Sequence, residues 1–182
     1  MKRYLTLLLL SLPAVAFAHP GHDQTQFTLG IGSGFLHPLM GLDHLLALLA
    51  VGVMAARVSG KQGLLLAGGF LVMMLVGFLA GHTGIHGVAT GTIETLIVTS
   101  ILAGGVFVLM GSWLQQKKVI SGIGSLVMSG FAIFHGLAHG IEVPTQAGAG
   151  GFAIGFTLAC ASVMTVCALS AQKMRNKKAV QA

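Results

Sequence analysis

The sequence predicts an all-α integral membrane protein with about five transmembrane helices after a cleaved signal peptide. Composition is the first observation: of 182 residues, 54% are hydrophobic and 8% are charged, whereas roughly a quarter of the residues of a soluble domain are charged. The mean hydropathy of +0.89 also indicates a lipid environment. The third observation is that the apolar residues fall in stretches of about 20, the length at which a helix crosses a bilayer.

Residues 1–18, MKRYLTLLLLSLPAVAFA, are typical of a secretory signal. A short basic start precedes an apolar run of about 12 residues, and the segment ends in Ala-Phe-Ala, the small-residue pattern of a cleavage site. The mature chain would then begin at His19 and form a single transmembrane domain over residues 19–182. The alternative is an uncleaved first helix, which the short apolar run disfavours.

Five apolar stretches of the mature chain predict the transmembrane helices. They cover residues 34–56, 63–81, 93–114, 119–139 and 152–171. The lysines and arginines lie in two of the connections and in the tail, and the positive-inside rule places them in the cytoplasm. These residues are Arg57, Lys61, Lys117, Lys118, Lys173, Arg175, Lys177 and Lys178. We therefore predict an exported mature N-terminus and a cytoplasmic C-terminus. Its pI of 9.8 reflects topology and contact with anionic lipid, not nucleic-acid binding.

The first predicted span carries three ionisable residues in an otherwise apolar stretch, His37, Asp43 and His44. Ionisable groups within a membrane are energetically costly and usually functional. On a continuous helix, His37 and His44 would lie two turns apart and about 20° from the same stripe, so both could line one path. Pro38 leaves two alternatives open. It either interrupts a helix that already runs through Gly34, or it occupies the first turn of a helix that starts beside it.

A second group of ligand-type residues lies in FHGLAHGIEVP, residues 134–144. His135 and His139 have the i, i+4 spacing that allows two imidazoles on one helix face to share a cation. Glu142 would complete this face if the helix continues to it. A similar segment precedes it, because GFLAGHTGIHG from residue 77 aligns without gaps with GFAIFHGLAHG from residue 130. The alignment pairs His82 with His135 and His86 with His139, which makes His82 and His86 further candidate metal-binding residues. It predicts an internal repeat of a two-helix unit, with chance similarity in a glycine-rich chain as the alternative.

All histidines and acidic residues fall in the outer half of the predicted topology. Imidazole and carboxylate without thiolate suit borderline divalent ions such as nickel, cobalt or zinc. We therefore expect a transported metal ion and no permanently bound cofactor or catalytic residue. The alternative is an electron-transfer protein in which His44 and His135 hold a haem. A metalloenzyme is disfavoured because the chain has no His-Glu-x-x-His motif.

The two motifs HPLMGLDHLLALLAVGV, residues 37–53, and FHGLAHGIE, residues 134–142, resemble those of the HupE/UreJ family of nickel and cobalt permeases. The resemblance covers essentially the whole mature chain. It implies uptake of Ni2+ or Co2+ across the inner membrane, often in support of hydrogenase or urease maturation. The expected partners are the metal ion and the lipid bilayer, with a homo-oligomer as the alternative to a single chain. By position, the resemblance implies a metal-binding role for His37, Asp43, His44, His135, His139 and Glu142, with Glu94 as a further member.

Overall fold

The computed structural model describes residues 30–58, 60–85, 87–110, 118–144 and 148–180. This part of the chain is helical, and four of its helices are long and apolar enough to span a membrane, or five spans if a bent pair counts as one. The prediction of an all-α membrane protein is therefore confirmed. The predicted signal at residues 1–18 lies outside the described residues, as do His19 and His22. The helices are α1 (Gly30–Met40), α2 (Leu42–Arg57), α3 (Gly60–His82), α4 (Thr90–Leu109), α5 (Lys118–Ile141) and α6 (Ala149–Val180).

The first predicted span differs from the structure. Residues 34–56 do not form one continuous helix, because α1 ends at Met40 and α2 begins at Leu42 with a bend of 82° between them. Of the two alternatives for Pro38, the helix that already runs through Gly34 is the one observed, and the start beside Pro38 is wrong, since α1 begins at Gly30 and contains Pro38 near its end. The other predicted spans correspond to α3, α4, α5 and α6.

Helices α3 and α5 form the most extensive helix contact among the described residues. A side chain added at Gly77 or Gly81 of α3 would overlap the backbone of α5, and one added at Gly136 or Gly140 of α5 would overlap the backbone of α3. Glycine at these positions lets the two backbones approach within direct contact, which is a common way to stabilise helix pairs in lipid. The order of the contacts shows that the two helices run in the same direction, as a parallel repeat requires.

The two ends of the bundle differ in charge. The described histidines and acidic residues belong to the ends of α3 and α5 and to the starts of α2 and α4, together with the last turns of α1. At the opposite end, the guanidinium of Arg57 donates a hydrogen bond to the carbonyl oxygen of Val108, and that of Arg175 donates one to Ala56. These bonds satisfy carbonyls near the C-terminal ends of α4 and α2. We refer to the two ends as the histidine end and the basic end.

A hydrophobic core lies between the two ends. It is formed by buried side chains of α2, α3, α5 and α6, including Leu48, Val51, Met74, Met128 and Met164. Leu48 and Val51 follow His44 by one and two turns along α2, towards Arg57. Met128 precedes His135 by about two turns along α5. The core therefore separates the histidines from the basic end.

Candidate metal centre

Six of the nine predicted metal residues converge at the histidine end of the bundle. Four of these six residues are histidines, and three short distances between ring centroids connect them. The ring centroids of His37 and His139 are 4.8 Å apart, those of His139 and His44 are 4.1 Å apart, and those of His44 and His135 are 5.2 Å apart. The carboxylates of Asp43 and Glu142 bond to two of these rings. We call the following six residues the histidine cluster: His37, Asp43, His44, His135, His139 and Glu142.

The break between α1 and α2 allows residues from both helices to reach the cluster. Pro38 has no N–H to donate to the carbonyl of Gly34, which weakens the last turns of α1, and the helix ends at Met40. Gly41 then adopts an extended conformation with φ −89° and ψ 112° before α2 starts. A Cβ at Gly41 would lie 3.0 Å from Asp43 Oδ1 and 3.1 Å from His44 Nδ1. Glycine therefore provides the space that these two side chains occupy.

The Asp43 carboxylate orients the His44 ring. Asp43 Oδ1 lies 2.9 Å from His44 Nδ1, and both residues are only 7% exposed. An ionised carboxylate only accepts hydrogen bonds, so Nδ1 is the protonated nitrogen and donates to Asp43. The other ring nitrogen, Nε2, is buried and has no hydrogen-bond partner in the described part of the chain. In many metal-binding histidines, a carboxylate accepts a hydrogen bond from one ring nitrogen and thereby orients the lone pair of the other nitrogen.

His139 contacts both parts of the cluster, which are the pair His37 and Glu142 and the group around His44. On one side, one donor atom from each of His37, His139 and Glu142 lies within 4.8 Å of the other two, a spacing that could hold a metal ion. His37 Nε2 and Glu142 Oε2 are 3.2 Å apart. On the other side, the His139 ring packs against His44, and its Nδ1 is buried without a partner among the described residues. His139 is 2% exposed.

The helical register of α5 explains this arrangement. His135 and His139 are separated by one turn, so their rings lie on the same face of the helix. The last residue of α5 is Ile141, and Glu142 follows in a turn in which its N–H still donates to Ala138 at 3.1 Å. The Glu142 carboxylate therefore lies about one turn beyond His139, close to the position that a continued helix would give it, although the helix has ended at Ile141.

Aromatic side chains border the histidine cluster. Phe152 of α6 contacts the His37 ring at a centroid distance of 5.3 Å, and Phe156 contacts the His139 ring at 4.3 Å. Both phenylalanines stack on Phe78 of α3, and all three are buried. Apolar surroundings of this kind lower the local dielectric constant, which strengthens the interactions of buried polar groups with a charge.

Two of the remaining predicted metal residues, His82 and Glu94, lie outside the cluster. His82 ends α3, is exposed, and stacks on Phe78 at a centroid distance of 6.1 Å. Glu94 is exposed on α4. It precedes Ser100, a buried residue of α4 whose Oγ contacts His135, by six residues, which places the two on different faces of the helix. His86 lies outside the described residues. The similarity of the two aligned segments therefore does not extend to the surroundings of His82 and His135.

One buried residue at the site has no signal in the sequence. Ser100, in the middle of α4, is 1% exposed, and its Oγ lies 2.8 Å from Nε2 of His135. A single serine in an apolar span, 35 residues away from its partner, offers no spacing from which this contact could have been inferred.

The chemistry of the cluster suits a borderline divalent cation. It offers imidazole nitrogens and carboxylate oxygens. The two cysteines are both on α6 and are free, with Cys160 in the hydrophobic core and Cys167 donating to the carbonyl of Leu49. The geometry does not favour the haem alternative. The rings of His44 and His135 contact each other edge to face, so a haem between them would have to force them apart.

Comparison with known proteins gives a consistent result. A family model described as HupE / UreJ protein matches residues 7–182. The chain is also 35% identical over 176 residues to Protein HupE of Rhizobium leguminosarum bv. viciae, an alignment that covers 97% of this chain and 85% of that relative. No solved structure matches the chain.

Proposed function

This chain belongs to the HupE/UreJ family, a family of metal transporters rather than enzymes, and on that basis we propose that it takes up Ni2+ or Co2+ through the histidine cluster. The ion is the transported substrate, and the protein needs no permanently bound cofactor. Uptake of this kind could supply nickel to enzymes such as hydrogenase or urease.

Two unpartnered ring nitrogens carry the proposal. His44 Nε2 and His139 Nδ1 are buried, and neither has a hydrogen-bond partner in the part of the chain that the structure describes. Leaving a buried polar atom unpaired costs about 1–3 kcal/mol. A ligand that binds such an atom removes this cost, so unpaired buried nitrogens indicate a binding site. The two rings are in contact, and an ion bound between them would satisfy both lone pairs with the borderline donors that nickel and cobalt prefer.

The arrangement supports a stepwise path for the ion. His37, His139 and Glu142 form the first group, in which Glu142 supplies a carboxylate and the imidazoles replace part of the water shell. His139 then shares the ion with His44, whose ring is oriented by Asp43, and His135 lies next to His44. Because successive histidine rings are in contact, the ion can bind the next ring before it leaves the previous one, so it keeps protein ligands at each step. Binding at each group must stay weak enough to allow the next transfer.

The direction of transport follows from the charge difference between the two ends. The positive-inside rule puts the basic end, with Arg57 and Arg175, in the cytoplasm. The histidine cluster then faces the periplasm of the bacterial inner membrane. A divalent ion that enters a cytoplasm at −100 mV gains about 4.6 kcal/mol. This corresponds to about a thousandfold accumulation, so the membrane potential alone can drive uptake. The sequence contains no Walker-type nucleotide-binding loop.

Uptake of radiolabelled Ni2+ by cells that express the full chain tests the proposal. His44→Ala removes a ring of the cluster and should reduce uptake to the level of cells without the protein. Asp43→Asn removes the charge that orients His44 and should reduce uptake strongly. His82→Ala serves as the matched control, because this exposed histidine contacts Phe78 outside the cluster, and it should transport as the wild type does. Unlabelled Co2+ and Zn2+ as competitors then rank the metals. Wild-type uptake by His44→Ala would refute the proposed path.

A further inference from the structure

Ser100 makes a contact that distinguishes it from Thr95 and Thr99 of the same helix. The hydroxyls of Thr95 and Thr99 are exposed and donate to carbonyls of α4 itself, those of Gly91 and Thr95. The Ser100 hydroxyl is buried, and it reaches across to α5. Its Oγ lies 2.8 Å from His135 Nε2 and 2.7 Å from the carbonyl oxygen of Ile97.

The two bonds of Ser100 Oγ constrain the proton positions. A serine hydroxyl has one proton to donate, and the Ile97 carbonyl can only accept. When Ser100 donates to Ile97, the hydrogen bond to His135 requires that Nε2 carries the ring proton and donates to Oγ. The Nδ1 lone pair of the neutral ring is then available to a metal ion. In the reverse arrangement, in which Ser100 donates to Nε2, the bond to Ile97 is lost and Nδ1 is protonated.

We propose that Ser100 is a positioning residue that fixes the orientation and the tautomer of His135, with Nδ1 as the metal-binding nitrogen. This inference rests on the proposed transport function. Ser100 does not contact the ion in this scheme. It acts on His135 as Asp43 acts on His44, since each partner bonds to one ring nitrogen, and in this scheme the other ring nitrogen binds the ion. Partners of this kind orient metal-binding histidines in many proteins.

Substitutions of matched shape separate this role from simple packing. Ser100→Ala and Ser100→Val remove the hydroxyl, whereas Ser100→Thr keeps it and has nearly the same shape as Val. Loss of a residue that orients a metal ligand typically reduces metal affinity or activity about 10–100-fold. We therefore expect Ser100→Ala and Ser100→Val to raise the half-saturating Ni2+ concentration for uptake about 10–100-fold. Ser100→Thr should remain close to the wild type.

The measurement is the concentration dependence of radiolabelled Ni2+ uptake by cells that express the full chain, at equal amounts of protein in the membrane. Ser129→Ala is the control, because Ser129 is a buried serine of α5 about two turns from His135, and it should not change the half-saturating concentration. Equal half-saturation of the Thr and Val variants would overturn the proposal, even if Ala were unstable. In that case the proposed function still stands if His44→Ala loses uptake. If His44→Ala also transports normally, the proposed function itself fails.

Discussion

The substitution Gly41→Ala tests the geometry of the Asp43 and His44 pair without removing a ligand. The backbone at Gly41 has φ −89° and ψ 112°, which alanine adopts without strain. The added Cβ would lie 3.0 Å from Asp43 Oδ1 and 3.1 Å from His44 Nδ1, closer than the 3.4–4 Å of an ordinary contact. Both atoms must therefore move by a few tenths of an ångström, and they are the two atoms joined by the 2.9 Å hydrogen bond.

The size of the effect follows from that hydrogen bond. A bond to a charged group contributes about 1.5–3 kcal/mol. If the displacement removes about half of this, the half-saturating Ni2+ concentration rises about 4–12-fold, and complete loss of the bond gives an upper limit of about 150-fold. The folded state itself should be little affected, since replacing glycine by alanine at a compatible position restricts the unfolded chain and is mildly stabilising.

The assay is again the concentration dependence of Ni2+ uptake, combined with the thermal stability of the purified variant. Gly130→Ala is the matched control, because an added Cβ at Gly130 of α5 would meet no atom within 4 Å. We expect it to transport as the wild type does. An unchanged half-saturating concentration for Gly41→Ala would refute the orienting role of the Asp43 and His44 pair. An equal loss in Gly130→Ala would show that the effect is not specific to the site.

Three further predictions follow from the packing and the chemistry of the cluster. Gly136→Ala places a Cβ on the carbonyl oxygen of Met74 and should destabilise the α3–α5 pair by about 1–3 kcal/mol, measured as a lower unfolding temperature than that of Gly130→Ala. Acidifying the external medium should lower uptake, because protons compete with the metal for imidazole nitrogens, and undiminished uptake in acid would contradict imidazole ligation. Cys167→Ala should transport normally, since this thiol bonds to Leu49 outside the cluster, whereas a loss of uptake would indicate a thiolate ligand.

The sequence predicts most of the fold because each long helix needs only a run of apolar residues, which composition reveals directly. The closeness of His135, His139 and Glu142 to one another was also predictable, because their relative positions depend on the fixed period of one helix. The break at Gly41 was not. The hydropathy of the segment is continuous across it, and Pro38 is compatible both with an interrupted helix and with a helix start.

Contacts between helices are the part of the site that local sequence does not determine. His37 reaches Glu142 across 105 residues, and Ser100 reaches His135 across 35 residues. These contacts depend on how the helices are arranged in the bundle. His82 illustrates the converse. Its segment is similar in sequence to that of His135, yet it ends α3 at an exposed position, because the surroundings of a side chain depend on the neighbouring helices and not on its own segment.

The position of the cluster limits how an ion can leave it. His44 belongs to the first turn of α2, and the residues from 48 to 56, about 14 Å of helix, are all apolar or glycine. Leu48, Val51 and Met128 are buried in this layer. A dehydrated ion crosses such a layer only at a high cost in free energy, so under the proposed function its release requires the helices that form this layer to rearrange. Within this layer Gly52 of α2 packs on the backbone of α6, and Gly63 of α3 packs on the backbone of α2. We therefore expect the exit to open by a joint movement of α2 with these neighbours relative to α1, from which the break at Gly41 separates α2.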